Sequence, residues 1–69
     1  AWPQKTTTTT AVNLRTGPST GYTSLGILAK GVRVTEYCNR NNKWSYIKVD
    51  SGANNGRWGW MDSRYMGPF

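Results

Sequence analysis

Aromatic side chains crowd the second half of the chain at spacings that would place them on shared faces of extended strands. Trp44 and Tyr46 are two residues apart, as are Trp58 and Trp60, and residues two apart in a strand point to the same side. The chain has four Trp and four Tyr among 69 residues, more than a core of this size can hide. Such rings stack on sugar rings or pack against extended peptides, and their polar tips add hydrogen bonds. The pattern therefore predicts a binding surface.

The residue types present do not support a catalytic function. The chain has no His, so a Ser or Cys nucleophile would lack its usual base. The three acidic residues, Glu36, Asp50 and Asp62, fall on different predicted elements with no reason to converge as an acid–base pair. A transition-metal site would have to use the single Cys38 and carboxylates. The sequence therefore predicts a protein that is not an enzyme and that has no metal and no cofactor.

The charge balance is strongly positive. Nine Lys and Arg stand against three acidic residues, a formal net charge of +6. A field of this sign on a small body favours anionic partners such as acidic polymers, nucleic acid or lipid head groups, although a basic surface can also serve solubility alone. No apolar stretch approaches the ~20 residues of a membrane span, so no such span is expected.

Short runs of β-favouring residues alternate with turn formers along the chain. Residues 1–8 are predicted to be an N-terminal tail or linker, in which the threonine run 6–10 becomes strand near its end. Val12 and Leu14 then alternate with polar neighbours and are expected to face inward. The further predicted strands are 25–28, 32–38, 44–50 and 57–61, followed by a single helical turn at 62–65. The prediction is an all-β fold over residues 9–69, a small barrel of about five to six short antiparallel strands with one short 3-10 turn near the C-terminus.

Several motifs occur in a fixed order along these elements. They are V-N-L-R-T-G-P-S at 12–19, Tyr22, L-G-I-L at 25–28, K-G-V-R-V at 30–34, Trp44, and G-W-M-D-S-R-Y-M at 59–66. The ordered set resembles the bacterial SH3-like domain that cell-wall hydrolases, autolysins and phage endolysins carry beside their catalytic domains. The resemblance covers about residues 10–66 and implies an SH3-like barrel that binds rather than catalyses.

Two positions depart from the family pattern. Glu36 stands where the family usually has an apolar residue, so we expect either the loss of one inward position or an exposed strand end. The loop 51–56 is longer than the common version and lies next to the last strand in sequence. We expect this loop to reshape any groove beside that strand.

The candidate site is an aromatic groove flanked by basic side chains. Trp44, Tyr46 and Lys48 are expected on one face of their strand, and the resemblance implies that Tyr22 in the first long loop lies nearby. The predicted ligand-binding residues are Tyr22, Trp44, Tyr46, Trp58, Trp60, Tyr65, Arg15, Lys48 and Arg57. For each ring, packing in the core or at a barrel end is the alternative.

Two further features have ordinary explanations beside functional ones. Cys38 is expected to pack as a small apolar residue at a strand end, with an intermolecular disulfide as the alternative. The residues Asn39, Asn41, Asn42, Asn54 and Asn55 cluster in two loops. Turn geometry accounts for these asparagines, and hydrogen bonding to glycan hydroxyls is the alternative.

The resemblance implies a non-catalytic module that binds bacterial peptidoglycan, with help from anionic wall polymers, and targets an attached or associated hydrolase to its substrate. Its location would then be extracellular, secreted or cell-wall associated. The alternative is a secreted SH3-like protein-interaction domain, such as a toxin, an inhibitor or a peptide-binding module. A barrel that stacks nucleic-acid bases on its rings is a third reading, against which the resemblance argues.

Overall fold

The computed structural model describes residues 2–67, so Ala1 of the predicted tail and residues 68 and 69 of the predicted barrel lie outside the described residues. The strands are β1 (Gln4–Thr7), β2 (Val12–Arg15), β3 (Ser24–Leu28), β4 (Arg33–Arg40), β5 (Trp44–Val49) and β6 (Trp58–Asp62), and a 3-10 turn (Ser63–Tyr65) follows. All pair antiparallel in one sheet with the order β1-β4-β5-β6-β2-β3. The predicted all-β, SH3-like architecture is confirmed. No helix within residues 2–67 is long and apolar enough to cross a membrane.

The hydrophobic core follows the alternation expected from the sequence. In β2 the side chains of Val12 and Leu14 are buried, and in β5 buried and half-buried residues alternate. The buried apolar residues are Val12, Leu14, Leu28, Val34, Ile47, Val49 and Met61. Fully burying an aliphatic side chain contributes about 1.5–3 kcal/mol, so this small core leaves a modest margin once chain entropy is subtracted.

Strand β1 lies where the sequence predicted a tail. Gln4–Thr7 pairs with β4, and Thr8 forms a bridge with Met66. The threonine run alternates like a strand with one buried face: Thr6 and Thr8 are buried, while Thr7 is exposed. The prediction of a tail over residues 1–8 was wrong for this part, because the buried hydroxyls find partners far along the chain. Thr6 Oγ1 donates to the Gly67 carbonyl at 2.8 Å, and Thr8 Oγ1 donates to the Ala29 carbonyl at 2.7 Å.

Strands β2 and β6 approach each other closely at Gly59. A Cβ atom at this position would lie 2.8 Å from the Arg15 carbonyl oxygen and 2.9 Å from Leu14 Cγ. Gly59 is buried on the inner side of β6, so Trp58 and Trp60 on either side of it point outward. The residue without a side chain therefore allows this junction and fixes the facing of both indoles.

The side chain of Glu36 points inward and is buried. Neither expectation for this residue had included that outcome. Its side chain is 2% exposed, and its Oε2 accepts hydrogen bonds from Ser45 Oγ and from Asn39 Nδ2. Asn39 Nδ2 also lies 3.1 Å from Ser63 Oγ, and the Ser45 and Ser63 hydroxyls are 2.7 Å apart. A hydrogen-bonded polar cluster thus replaces apolar packing at this end of the barrel.

The β4–β5 hairpin explains two of the loop asparagines. Asn41 and Asn42 have φ angles of 56° and 57°, as the two central residues of a type I′ turn require, and Asn tolerates this region better than most residues. Asn42 N also donates to Asn39 Oδ1 at 2.6 Å. The prediction of turn geometry is confirmed for these residues. Cys38, expected to pack as an apolar residue, is instead an exposed free thiol on β4.

Thr8→Val should destabilise the domain, because valine keeps the shape of threonine but has no hydroxyl. The Thr8 hydroxyl donates to the Ala29 carbonyl and accepts from Val32 N at 3.0 Å. Leaving two part-buried backbone groups without partners should cost about 1 kcal/mol, measured as the free energy of unfolding in denaturant. Thr7→Val, on the exposed face of β1, is the matched control and should change stability by less than about 0.5 kcal/mol. Equal effects of the two substitutions would contradict the buried role of Thr8.

Candidate functional site

Four aromatic rings form a continuous surface on the outer face of β4, β5 and β6, which we call the aromatic platform. The rings of Tyr37 and Trp58 are 4.9 Å apart between centroids, those of Trp58 and Tyr46 5.7 Å, and those of Tyr46 and Trp60 5.2 Å. Contacts at these separations are favourable for tilted and offset rings. The rings therefore support one another while they remain partly open to solvent.

The exposed end of the platform is Trp58, with 44% of its surface accessible, beside Tyr37 at 40%. Lys48 Nζ lies 5.9 Å from the Trp58 ring centroid, within the range of a cation–π contact. Lys48 and Trp58 are directly opposite each other in the β5–β6 pairing. The platform thus offers an apolar face with a positive charge at its edge.

A β-bulge in β4 accounts for the position of Tyr37. Glu36 pairs with Ile47 and Cys38 pairs with Tyr46, so Tyr37 is an extra residue with no partner of its own on β5. A bulge bends the strand and re-aims the side chain that it carries. It places the Tyr37 ring against Trp58 at the margin of the platform, although sequence reasoning did not include Tyr37 in the site.

A groove begins where the platform ends. Two adjoining cavities of about 440 and 420 Å³ share Thr20, Trp44, Asp62 and Arg64 as lining residues. The first also contains Arg15 and Tyr65, and the second contains Lys43. Trp44 precedes Tyr46 on the outer face of β5, and Arg15 is directly opposite Trp60 in the β2–β6 pairing. The groove and the platform are therefore neighbouring parts of one surface.

The ion pair between Asp62 and Arg64 lies in the lining of the groove. Arg64 Nη2 lies 2.8 Å from Asp62 Oδ2, and Arg64 Nε contacts both carboxylate oxygens. Asp62 also caps the 3-10 turn by accepting from Arg64 N at 2.9 Å. The hydrogen bond from the Arg64 side chain lowers the pKa of the Asp62 carboxyl below its ordinary value and outweighs the opposing effect of partial burial. The Arg64 guanidinium in turn lies 5.2 Å from the Tyr65 ring centroid.

Arg15 is used to hold the long loop between β2 and β3. Its Nη1 donates to the Tyr22 carbonyl at 3.0 Å and to the Thr20 carbonyl at 3.3 Å. The Tyr22 ring covers Gly17, where a Cβ atom would lie 2.4 Å from the ring. Within residues 2–67 no aromatic contact joins Tyr22 to the platform. Tyr22 thus belongs to the loop that borders the groove.

Arg57 lies against β3, at a distance from the groove. Its Nη1 donates to the Leu25 carbonyl at 2.6 Å, and Asn54 Nδ2 donates to the Ile27 carbonyl at 3.2 Å. These bonds satisfy carbonyls along the outer edge of β3, which is an edge strand of the sheet. The loop 51–56, expected to reshape the groove, instead covers this edge.

The nine predicted site residues therefore separate into three groups. Tyr46, Trp58 and Trp60 belong to the platform with Lys48 at its edge, and Trp44, Tyr65 and Arg15 line the groove. Tyr22 and Arg57 lie outside both. The participation of all nine residues in ligand binding stays a prediction. Sequence reasoning did not include Tyr37, although alternation along the strand from an inward Glu36 would have placed Tyr37 on the outer face. It also did not include Arg64, because side-chain directions in a 3-10 turn have no simple period.

Positive charge remains largely uncompensated over the described part of the chain. Among residues 2–67 a single ion pair, Arg64–Asp62, joins a basic to an acidic side chain. Asp50 accepts a hydrogen bond from the Thr35 hydroxyl, and Glu36 is buried with Ser45 and Asn39. The other eight Lys and Arg of the chain have no carboxylate partner among the described residues. These unpaired basic side chains favour the approach of anionic groups.

A small antiparallel barrel with an open aromatic platform, a groove and a positive surface defines a class, that of small binding modules. The sequence model of one family, described as the bacterial SH3 domain, matches residues 10–67. The chain therefore belongs to the bacterial SH3 domain family, and the resemblance drawn from its motifs is confirmed. Modules of this kind bind and do not catalyse. Comparison with curated proteins and with solved structures found no match.

The Asp62–Arg64 pair predicts a pH dependence of stability. The folded pKa of Asp62 is lowered from 3.8, so its stabilising effect is complete above that value and is lost as the pH falls through the lower folded pKa. The stability advantage over Asp62→Asn should shrink over that acid window, and the exposed position of Arg64 keeps the effect small. Arg64→Met should return the Asp62 pKa toward 3.8, as followed by NMR titration of the carboxyl. A wild-type pKa at or above 3.8 would contradict the assigned geometry.

Proposed function

We propose that this domain is a non-catalytic cell-wall-binding module that recognises bacterial peptidoglycan and holds an attached or associated cell-wall hydrolase on its substrate. The observation that carries the proposal is the aromatic platform next to the groove. Three of its rings, Tyr46, Trp58 and Trp60, lie on neighbouring central strands, in a chain of net charge +6.

The platform suits the sugar or extended-peptide parts of such a polymer. Sugar rings present C–H faces that pack on indole and phenol rings, and the hydroxyl and N–H tips of those rings form hydrogen bonds. Trp58 is the most exposed ring of the platform, so it is the first surface that a ligand meets. Lys48 beside it can hold a ligand carboxylate or phosphate through a charge-assisted hydrogen bond.

The groove suits the peptide stem or cross-bridge. Trp44 and Tyr65 supply apolar surface on its wall, while Lys43 and Arg64 supply donors for peptide carbonyls and carboxylates. An extended peptide binds such a trench through a few side-chain contacts and hydrogen bonds along its backbone. A polymer that carries sugars and peptides together would occupy both parts of the surface at once.

The physical benefit to a hydrolase is local concentration. A module linked to a catalytic domain converts the second binding event into an intramolecular one, whose effective concentration depends on the length of the linker. Weak binding by one module is then sufficient, because each release is followed by rapid rebinding nearby. The proposal places the domain outside the cell membrane, secreted or associated with the wall.

The groove also favours a second candidate, a secreted protein-interaction domain that receives an extended segment of a partner protein. About 440 Å³ of groove beside Trp44 and Tyr65 is enough for a few residues of such a segment. Under this reading the platform would make a minor contribution, and substitutions in the groove would affect partner binding more than substitutions in the platform.

Purified bacterial cell walls provide the direct test. The domain should sediment with walls, and this binding should persist after chemical removal of teichoic acids and across a salt series. Binding that is lost after either treatment would assign the interaction to charge and not to peptidoglycan. Absence of binding to any wall would overturn the proposal and favour the protein-interaction reading.

Trp58→Ala should weaken wall binding by about tenfold, equivalent to about 1.4 kcal/mol, because it removes the most exposed ring of the platform. The fold should persist, since Trp58 is 44% exposed, and a thermal unfolding scan checks this. Ile27→Ala is the matched control, because Ile27 is 64% exposed on β3, an edge strand that does not pair with β4, β5 or β6. Unchanged binding by folded Trp58→Ala, or equal losses in both variants, would count against the platform.

A further inference from the structure

A third cavity lies at the end of the barrel, between the start of β1, the β4–β5 hairpin and the 3-10 turn. Its volume is about 280 Å³, and Trp2, Gln4, Glu36, Asn39 and Ser63 line much of it. Asn42 borders both this cavity and the groove, so the two are adjacent. Neither proposed function uses this cavity.

Glu36 is the unusual residue of this cavity. A carboxylate that is removed from water is normally paired with a cation, because burial without one is expensive. Glu36 is 2% exposed, and no Lys or Arg lies within ion-pair distance of it among residues 2–67. Its partners are the neutral groups of Ser45 and Asn39. The structure thus contains a buried acid whose hydrogen-bond partners in the described chain are all neutral.

One oxygen of this carboxylate has no hydrogen-bond partner in the described structure. Both hydrogen bonds reach Oε2, and Oε1 accepts none from residues 2–67. No fully buried side-chain oxygen or nitrogen in the described residues lacks a hydrogen-bond partner. Oε1 therefore keeps some accessible surface, and the space that Glu36 borders is this cavity.

The surroundings of Glu36 select the sign of the ligand. Both parts of the groove contain basic residues, and so does the cavity beside β1, which contains Lys5 and Arg33. The cavity at Glu36 is lined by an acid, amide side chains and a hydroxyl, with no Lys or Arg. In a chain of net charge +6, the lining of this cavity is therefore unusual in containing an acid and no basic residue.

We propose that the Glu36 cavity binds a primary ammonium group carried on a short aliphatic chain. Glu36 Oε1 would accept one N–H, and the amide oxygens of Gln4 or Asn42 would accept the others. Trp2, which lines the cavity and is 52% exposed, offers an aromatic face to the cation. Two sources carry this group, the free amino terminus of a peptide and the side-chain amine of a lysine-like residue.

NMR titration of the isotope-labelled domain tests the site. The probes are triglycine amide, with an α-amine, and Nα-acetyl-lysine amide, with a side-chain amine, and the controls are the same compounds with that amine acetylated. Saturable shifts of the Gln4, Glu36 and Asn39 signals should appear with at least one amine and should be at least about tenfold weaker with its acetylated control. The stronger amine identifies the source. No response of these signals to either amine, or equal responses to the acetylated compounds, would overturn the proposal.

Glu36→Gln separates binding from folding. Glutamine can still accept from Ser45 and Asn39, so the domain should remain folded, while its affinity for the amine falls at least about tenfold. If this variant fails to fold, Trp2→Ala serves instead, because Trp2 is exposed, and its amine affinity should fall about threefold or more. Trp58→Ala should bind the amine like the wild type. Full amine affinity in folded Glu36→Gln, or in Trp2→Ala where Glu36→Gln is unfolded, would contradict the proposal.

Discussion

The close approach of β2 and β6 at Gly59 is the constraint on which the binding surface depends. A methyl group there would meet the backbone oxygen of Arg15 and the side chain of Leu14, both within 3.0 Å. These two strands connect the β2–β3 hairpin to the rest of the sheet. The same glycine occupies the inward position between two tryptophans, so the contact that connects the sheet also turns both indoles toward solvent. The junction of the sheet and the outward facing of both indoles therefore depend on the same few atoms.

The interior contains more polar structure than its size suggests. Seven apolar residues form the core, and Thr6, Thr8, Thr35, Glu36 and Ser45 are buried beside them. Polar groups cost free energy when they are buried without partners, yet each of these hydroxyls has a partner in the structure. Hydrogen bonds that require fixed geometry specify a single arrangement more strictly than apolar contacts do. For a chain without a disulfide, such specification stabilises one fold over its alternatives.

Local alternation predicted the faces of β2, β5 and β6, because each strand has one buried and one open side. It failed where a specific hydrogen-bond partner, and not the residue type, decides the outcome. The composition of the threonine run is typical of a linker, but the Thr6 hydroxyl donates to the Gly67 carbonyl, 61 residues away. A glutamate is not expected at a buried position from its residue type, but the side chains of Ser45 and Asn39 donate hydrogen bonds to Glu36. For Arg57, a basic residue next to Trp58 suggests a ligand contact, and only the position of β3 shows that its guanidinium holds the Leu25 carbonyl.

Arg15 and Arg57 form hydrogen bonds within the fold, and this limits which basic residues can pair with a charged group of a ligand. Both guanidinium groups donate to backbone carbonyls, Arg15 to the loop beside the groove and Arg57 to the edge of β3. Recruiting either one to a ligand would release those bonds, whereas Lys48 at the platform has no competing hydrogen bond within residues 2–67. Because the platform rings lie on paired strands, little ordering entropy opposes binding there. Under the proposed function, the packed rings would select the shape of a ligand and Lys48 would add attraction for an anionic group.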